Sequence, residues 1–139
     1  CDQAVELLKA NPELKFRAIP LKVSAPFHSS LMKPAEMKMK ELLNMTTLKS
    51  NNLPYYANID AHKYEKNTDR ALIRENLIKQ ICGSVHWLQS IEKLPNDLIC
   101  IEVGPGKVLK GLVKKINPDL AVLSMEDENF EQSLKEILT

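Results

Sequence analysis

Several things are missing from this sequence, and each absence removes a class of function. No apolar run reaches the roughly 18 residues that a membrane-spanning helix needs. The charges nearly cancel: 19 Lys and Arg against 18 Asp and Glu leave a formal net charge of +1. No overall field therefore draws the chain to nucleic acid or to an anionic membrane. The three cysteines, Cys1, Cys82 and Cys100, are an odd set without metal-ligand spacing. They argue against a disulfide framework and for a reducing compartment, cytoplasm or an organelle matrix. Neither a metal nor a cofactor is expected. The first residues have no signal-peptide core and no Arg-rich transit character. There is no internal repeat and no low-complexity stretch. An initiator Met is also lacking. The chain begins at Cys1 directly inside a helix-like pattern, and the expectation is that a further segment lies upstream.

What is present suits one soluble globular domain. The 139 residues are 44% hydrophobic and 27% charged, ordinary values for a chain that builds its own core. Asp2 to Lys9 has helical spacing, stopped by Asn11-Pro12. Phe16 to Val23 reads as a strand bent or placed at an edge by Pro20. A loop, Ser24 to Ser30, leads into a helix carrying Met32, Ala35, Met39, Leu42 and Leu43, with Pro34 confined to its first turn. Leu53 to Ile59 reads as a strand and Lys63 to Asn67 as polar loop. Thr68 is the expected N-cap of a helix bearing Leu72, Leu77, Ile78 and Ile81, ended by Gly83. A shorter helix presents Val85, Leu88, Ile91 and Leu94. Leu98 to Val103 is a nearly unbroken apolar run of the kind covered on both faces of a sheet. Gly104-Pro105-Gly106 turns it into a helix bearing Val108, Leu109, Leu112, Val113 and Ile116. A short strand over Ala121 to Leu123 and a helix from about Asn129 complete the chain. Alternating strands and helices predict an α/β layered fold with some parallel sheet.

The strand-turn-helix at Cys100 to Leu109 is the most site-like local geometry. It is not a Walker loop, because Ile101 stands where the first Gly belongs and Val108 where Ser or Thr would bind magnesium. It is not a dinucleotide loop, because Leu109 occupies the third Gly position. An S-adenosylmethionine-dependent methyltransferase is a rival reading, since such enzymes often end their first strand in an acidic residue followed by a glycine loop. Val108 replaces that loop's last Gly, and too little chain follows to build the ligand crevice. On spacing alone, the two glycines serve a tight turn with positive φ. His28 is the other candidate, an imidazole in a strand-to-helix loop, suited to accept and return a proton. His62 in a polar loop and His86 near a helix start are weaker ones. Ser24, Ser29 and Ser30 read as turn and cap residues, because no G-x-S-x-G elbow surrounds them. No acidic pair stands out for acid/base work. Met32, Met37, Met39 and Met45 read as core filling.

Three segments together resemble one family. Ser24-Ala25-Pro26-Phe27-His28-Ser29-Ser30-Leu31-Met32-Lys33-Pro34-Ala35 resembles the surroundings of the catalytic histidine in malonyl-CoA:acyl carrier protein transacylases, and is similar to the A-F-H-S-x-L-M pattern of polyketide acyltransferase domains. Gln80-Ile81-Cys82-Gly83-Ser84-Val85-His86-Trp87 is similar to the family's Q-x-x-x-x-V-x-W segment. Glu102 to Leu109 matches its E-V-G-P-G-K-V-L. The three occur in the family's order and at about its spacing.

The resemblance implies transfer of malonyl from malonyl-CoA to the phosphopantetheine thiol of acyl carrier protein through a malonyl-serine ester. It gives His28 the role of general base. Gln80 becomes the residue whose main-chain carbonyl fixes the imidazole tautomer, a task that a carboxylate performs in protease triads. Phe27 falls at a substrate-selecting position, where a bulky ring crowds an α-methyl group. The resemblance also implies that residues 1–27 close a small ferredoxin-like subdomain and that 28–139 are the C-terminal part of a larger, hydrolase-like α/β domain. The family's G-H-S-x-G elbow, its G-Q-G loop and its malonyl-binding arginine have no counterpart here. The partners implied are malonyl-CoA, acyl carrier protein and the missing N-terminal half of the enzyme. An interaction or regulatory module on the same scaffold is the non-enzyme alternative.

Overall fold

The computed structural model describes residues 2–11 and 23–138. Its elements run α1 Asp2–Lys9, a 3-10 turn Ser30–Met32, α2 Lys33–Met45, β1 Tyr55–Tyr56, β2 Lys63–Tyr64, α3 Arg70–Lys79, α4 Trp87–Glu92, β3 Ile99–Glu102, α5 Val108–Ile116, β4 Ala121–Ser124 and α6 Phe130–Leu138. The strand expected over Phe16 to Val23 lies outside the described residues, apart from Val23, which is exposed and not in a strand.

The fold is α/β. β3 and β4 pair in parallel, with Ile99 opposite Ala121 and Glu102 opposite Ser124, and α5 makes the crossover that parallel strands require. The core sits on this pair: Ile91 of α4, Val113 of α5, Leu120 and Val122 are buried together, with Trp87, Leu94, Cys100 and Ile116 packed around them. Leu98 to Val103 is not covered on both faces by the described residues. Ile101 is 40% and Val103 77% exposed, because among the described residues β4 is its one strand neighbour and the cluster formed with α4 and α5 covers one side.

The second sheet is small. Tyr55 and Tyr56 of β1 pair antiparallel with Tyr64 and Lys63 of β2, and the Tyr55 and Tyr64 rings stack at 5.2 Å. The expected strand Leu53 to Ile59 thus shrinks to two residues, and part of the expected polar loop is its partner. Lys63 points outward and Tyr64 inward, the alternation of any half-buried strand, too short here to register as a pattern. The N-cap of α3 is Asp69 rather than Thr68. The Asp69 carboxylate accepts from the Ala71 amide at 2.6 Å, while Thr68 N donates to Asn51 Oδ1 at 2.9 Å.

α2 departs most from expectation. None of its residues is buried, and the methionines read as core filling are exposed at Met37, Met39 and Met45. α2 is held to α3 by Arg74, whose Nε donates to Leu43 O at 2.8 Å and whose Nη2 donates to Thr46 O at 3.2 Å. These bonds satisfy carbonyls left open at the C-terminal end of α2.

Candidate active site

His28 lies in the bend between Val23 and the 3-10 turn that starts α2. The bend is tied by its own backbone and hydroxyl: Phe27 N donates to Ala25 O at 2.9 Å, and Ser29 Oγ donates to Pro26 O at 2.6 Å. His28 itself has φ +57. That left-handed conformation costs a residue with a side chain roughly 1–2 kcal/mol, and histidine tolerates it better than most.

The ring turns toward the end of α3. Nδ1 lies 2.9 Å from Gln80 O and 3.1 Å from Gly83 O. Both partners are carbonyl oxygens, which only accept, so Nδ1 carries the proton in these bonds. In the neutral ring the lone pair is then on Nε2. His28 is exposed. The local sequence explains why carbonyls are on offer here. α3 ends at Lys79 with Gln80 as its C-cap, Gln80 N donating to Asn76 O and Ile78 O. The last carbonyls of a helix have no partner within it.

A second tie connects the same two pieces of chain. Glu36 of α2 pairs with Lys33, and that ammonium first, then the neighbouring Cys82 thiol, lower its pKa. Burial first, then the neighbouring Glu36 carboxylate, push that thiol above its ordinary range. Cys82 is therefore held in its thiol form, the less reactive one. Cys100 is pushed up by burial alone.

The structure thus brings His28 and the Gln80 main chain together, while Phe27, the residue before His28, has its side chain 55% exposed. The other histidines do different work. The His62 ring meets Tyr64 edge-on at 4.8 Å. His86 begins α4, its N donating to Asn58 O at 2.8 Å and its carbonyl accepting from Ser90. Ser29 serves its turn as expected. The cavity behind Gln80, about 160 Å³ and lined by Tyr55, Ile59, Ile73, Asn76 and Leu77, does not include His28. Among the described residues no group of three His, Cys, Asp or Glu is placed to hold a metal ion, and no helix is long and apolar enough to cross a membrane.

The glycine loop after β3 is a structural turn. Gly104 has φ +132 and Gly106 φ +90, conformations that need glycine. Several of its polar groups are already engaged. The Glu102 carboxylate accepts from Leu109 N at 3.0 Å and Lys110 N at 2.8 Å, at the start of α5. Gly106 N donates to Glu126 Oε2 at 2.8 Å. The acidic residue that a methyltransferase would aim at a nucleoside is here occupied in capping a helix. Sequence reasoning missed Gly83 and the Glu36–Cys82 tie. Gly83 was legible only as a helix terminator, and nothing in the spacing of Lys33, Glu36 and Cys82 foretells that they meet.

No family model matches the chain. Solved structures of the same fold are acyltransferases. An acyl-carrier-protein S-malonyltransferase from Burkholderia pseudomallei superposes with a TM-score of 0.83 at 37% identity, over 96% of this chain and 43% of that one. A malonyl-transacylase in complex with a type II PKS acyl-carrier protein superposes with a TM-score of 0.77 at 31% identity, over 86% of this chain and 39% of that one. By sequence, the malonyl CoA-acyl carrier protein transacylase of Bacillus subtilis is 45% identical over 139 residues, 96% of this chain and 42% of the relative. The chain belongs to the malonyl-CoA:acyl carrier protein transacylase family and spans about two-fifths of the length of the curated relatives it matches.

Proposed function

We propose that this chain is the histidine-bearing part of an enzyme that moves malonyl from malonyl-CoA to the phosphopantetheine thiol of acyl carrier protein. The observation that carries the reading is the pair of carbonyls on His28 Nδ1, at 2.9 and 3.1 Å. They reserve the Nε2 lone pair for proton transfer. Nε2 takes the proton of a serine hydroxyl, supplied from outside these 139 residues, as that oxygen attacks the malonyl thioester carbonyl. The coenzyme A thiolate leaves and receives the proton from Nε2, and a malonyl-serine ester remains. The carrier-protein thiol then gives its proton to Nε2 and attacks the ester carbonyl, and the serine oxygen recovers the proton as it departs. Phe27 borders the acyl group and crowds an α-methyl substituent.

In this reading residues 1–27 end a small ferredoxin-like subdomain, and 28–139 are the C-terminal part of a hydrolase-like α/β domain working in the cytoplasm or an organelle matrix. The open faces of α2 and β3 are covered by the rest of that enzyme. Support for the carrier protein as partner comes from the relative whose structure contains one.

The test is a chimera in which this chain replaces the matching segment of the Bacillus subtilis transacylase. It should transfer malonyl to carrier protein, and His28→Ala should lower that rate on the order of 10²–10⁴-fold with an unchanged circular dichroism spectrum. The 139-residue chain alone, without the donors that stabilise an oxyanion, should transfer none. A folded but inert chimera would leave only the non-catalytic module, and an active one indifferent to His28→Ala would overturn the role given to His28.

A further inference from the structure

The bond from His28 to Gln80 has a companion. One proton on Nδ1 faces two oxygens, Gln80 O at 2.9 Å and Gly83 O at 3.1 Å. With a single acceptor the ring could swing about that one contact. With two, a swing toward either oxygen lengthens the bond to the other, so the plane of the imidazole and the direction of Nε2 are bracketed.

Gly83 is a glycine for a reason of space. It does not share the positive φ of Gly104 and Gly106. A Cβ built on it would lie 2.1 Å from Ile59 Cδ1 and 3.0 Å from Lys79 O. Its own N donates to Lys79 O at 2.9 Å, so the residue is pressed between the last turn of α3 and the segment that follows β1. That segment is itself pinned, Asn58 O accepting from His86 N at 2.8 Å. Ile59 has some room on its far side, since it and Gln80 both line the cavity of about 160 Å³. The Lys79 carbonyl has none, because moving it unwinds the end of α3.

We propose that Gly83 is a positioning residue of this site: its carbonyl shares the His28 Nδ1 proton with that of Gln80, and its lack of a side chain lets the turn lie against Ile59 close enough to do so. As a statement about catalysis this rests on the transfer reading above; as a statement about the imidazole it stands without it.

Two readouts separate the claims. In the 139-residue chain, ¹⁵N spectra of the His28 ring should show the Nδ1–H tautomer in the parent and a mixture in Gly83→Val, whose branched side chain must displace the Lys79 carbonyl as well as Ile59. In the chimera, Gly83→Val should lower kcat on the order of 10²-fold while KM for malonyl-CoA stays close to the parent value. Gly83→Ala should fall between, and adding Ile59→Ala should return both tautomer and kcat most of the way, with the tautomer as the readout that a loss of stability alone would not move. If Gly83→Val fails to fold, the Gly83→Ala and Gly83→Ala/Ile59→Ala pair decides the matter. A parent ring without preference for Nδ1–H overturns the proposal, as does a folded Gly83 variant with unchanged tautomer and kcat. A chimera that transfers nothing, or ignores His28→Ala, counts against the transfer reading alone, and the tautomer still judges Gly83.

Discussion

Two glycine turns, one after α3 and one after β3, look alike on paper and work by opposite physics. At Gly83 the backbone is ordinary and space is short, with Ile59 Cδ1 2.1 Å from where a Cβ would be. At Gly104 and Gly106 space is open, with nothing within 4 Å of an added Cβ, and the backbone is what excludes other residues, at φ +132 and +90. The first turn leaves carbonyls unspent and lends two of them to His28. The second spends its polar groups on its own carboxylates, Glu102 on α5 and Glu126 on Gly106 N. The turn that looks most like a ligand loop in the sequence is thus closed upon itself, while the one that looks like a helix stop holds the His28 ring.

The comparison can be broken by substitution. Gly106→Ala should destabilise the fold by roughly 1–2 kcal/mol, the cost of forcing a side chain into the left-handed region, read as a lowered urea midpoint. Trimming a neighbour should not restore it, since no neighbour causes it, whereas the Gly83→Ala defect should yield to Ile59→Ala. A Gly106→Ala chain as stable as the parent would show that the φ of this turn is not enforced. Next in size, Glu102→Gln keeps the side-chain length but replaces one accepting oxygen by a donor facing an amide. Losing that cap should cost about 1 kcal/mol, again seen in the urea midpoint. An unchanged midpoint would mean that the Glu102 carboxylate is not what caps α5.

How much was legible beforehand follows from the same contrast. The unit β3-turn-α5-β4 could be read because its signals are local: an apolar run, two glycines, a helical period and a second short run, ending in the parallel pair of Ile99–Glu102 with Ala121–Ser124. The small sheet could not, since two residues per strand give no period to detect. α2 has helical spacing and forms a helix, yet spacing says nothing about whether a partner is at hand, and its methionines are exposed. The pairing of His28 with the Gln80 carbonyl was anticipated through family likeness, because contacts between residues 52 apart leave no trace in composition or period. Gly83 escaped even that, as its reason is a steric fit with Ile59 that only the folded chain contains.

The smallest expected effect concerns Asp127, which fastens the turn after β4 to the β3 turn and the start of α5. Its carboxylate accepts from Lys110 Nζ at 2.6 Å and from Ser124 N at 2.8 Å, and lies 3.2 Å from Lys107 Nζ. The Lys110 ammonium, then the Ser124 amide, with Lys107 adding to them, lower its pKa from 3.8 to about 2. A carboxylate depressed on folding binds fewer protons in the folded than in the unfolded state. Its contribution is therefore fully present above the unfolded value near 4 and is lost as the pH falls from there through about 2. Both lysines are partly exposed, so salt should weaken the effect. Asp127→Asn should leave a chain whose thermal midpoint changes less between pH 5 and pH 2 than that of the parent, with the difference shrinking in high salt. Parallel pH profiles for the two would mean that the lysine cluster adds nothing to the hold on this turn, and that Glu102 and Glu126 alone keep it shut.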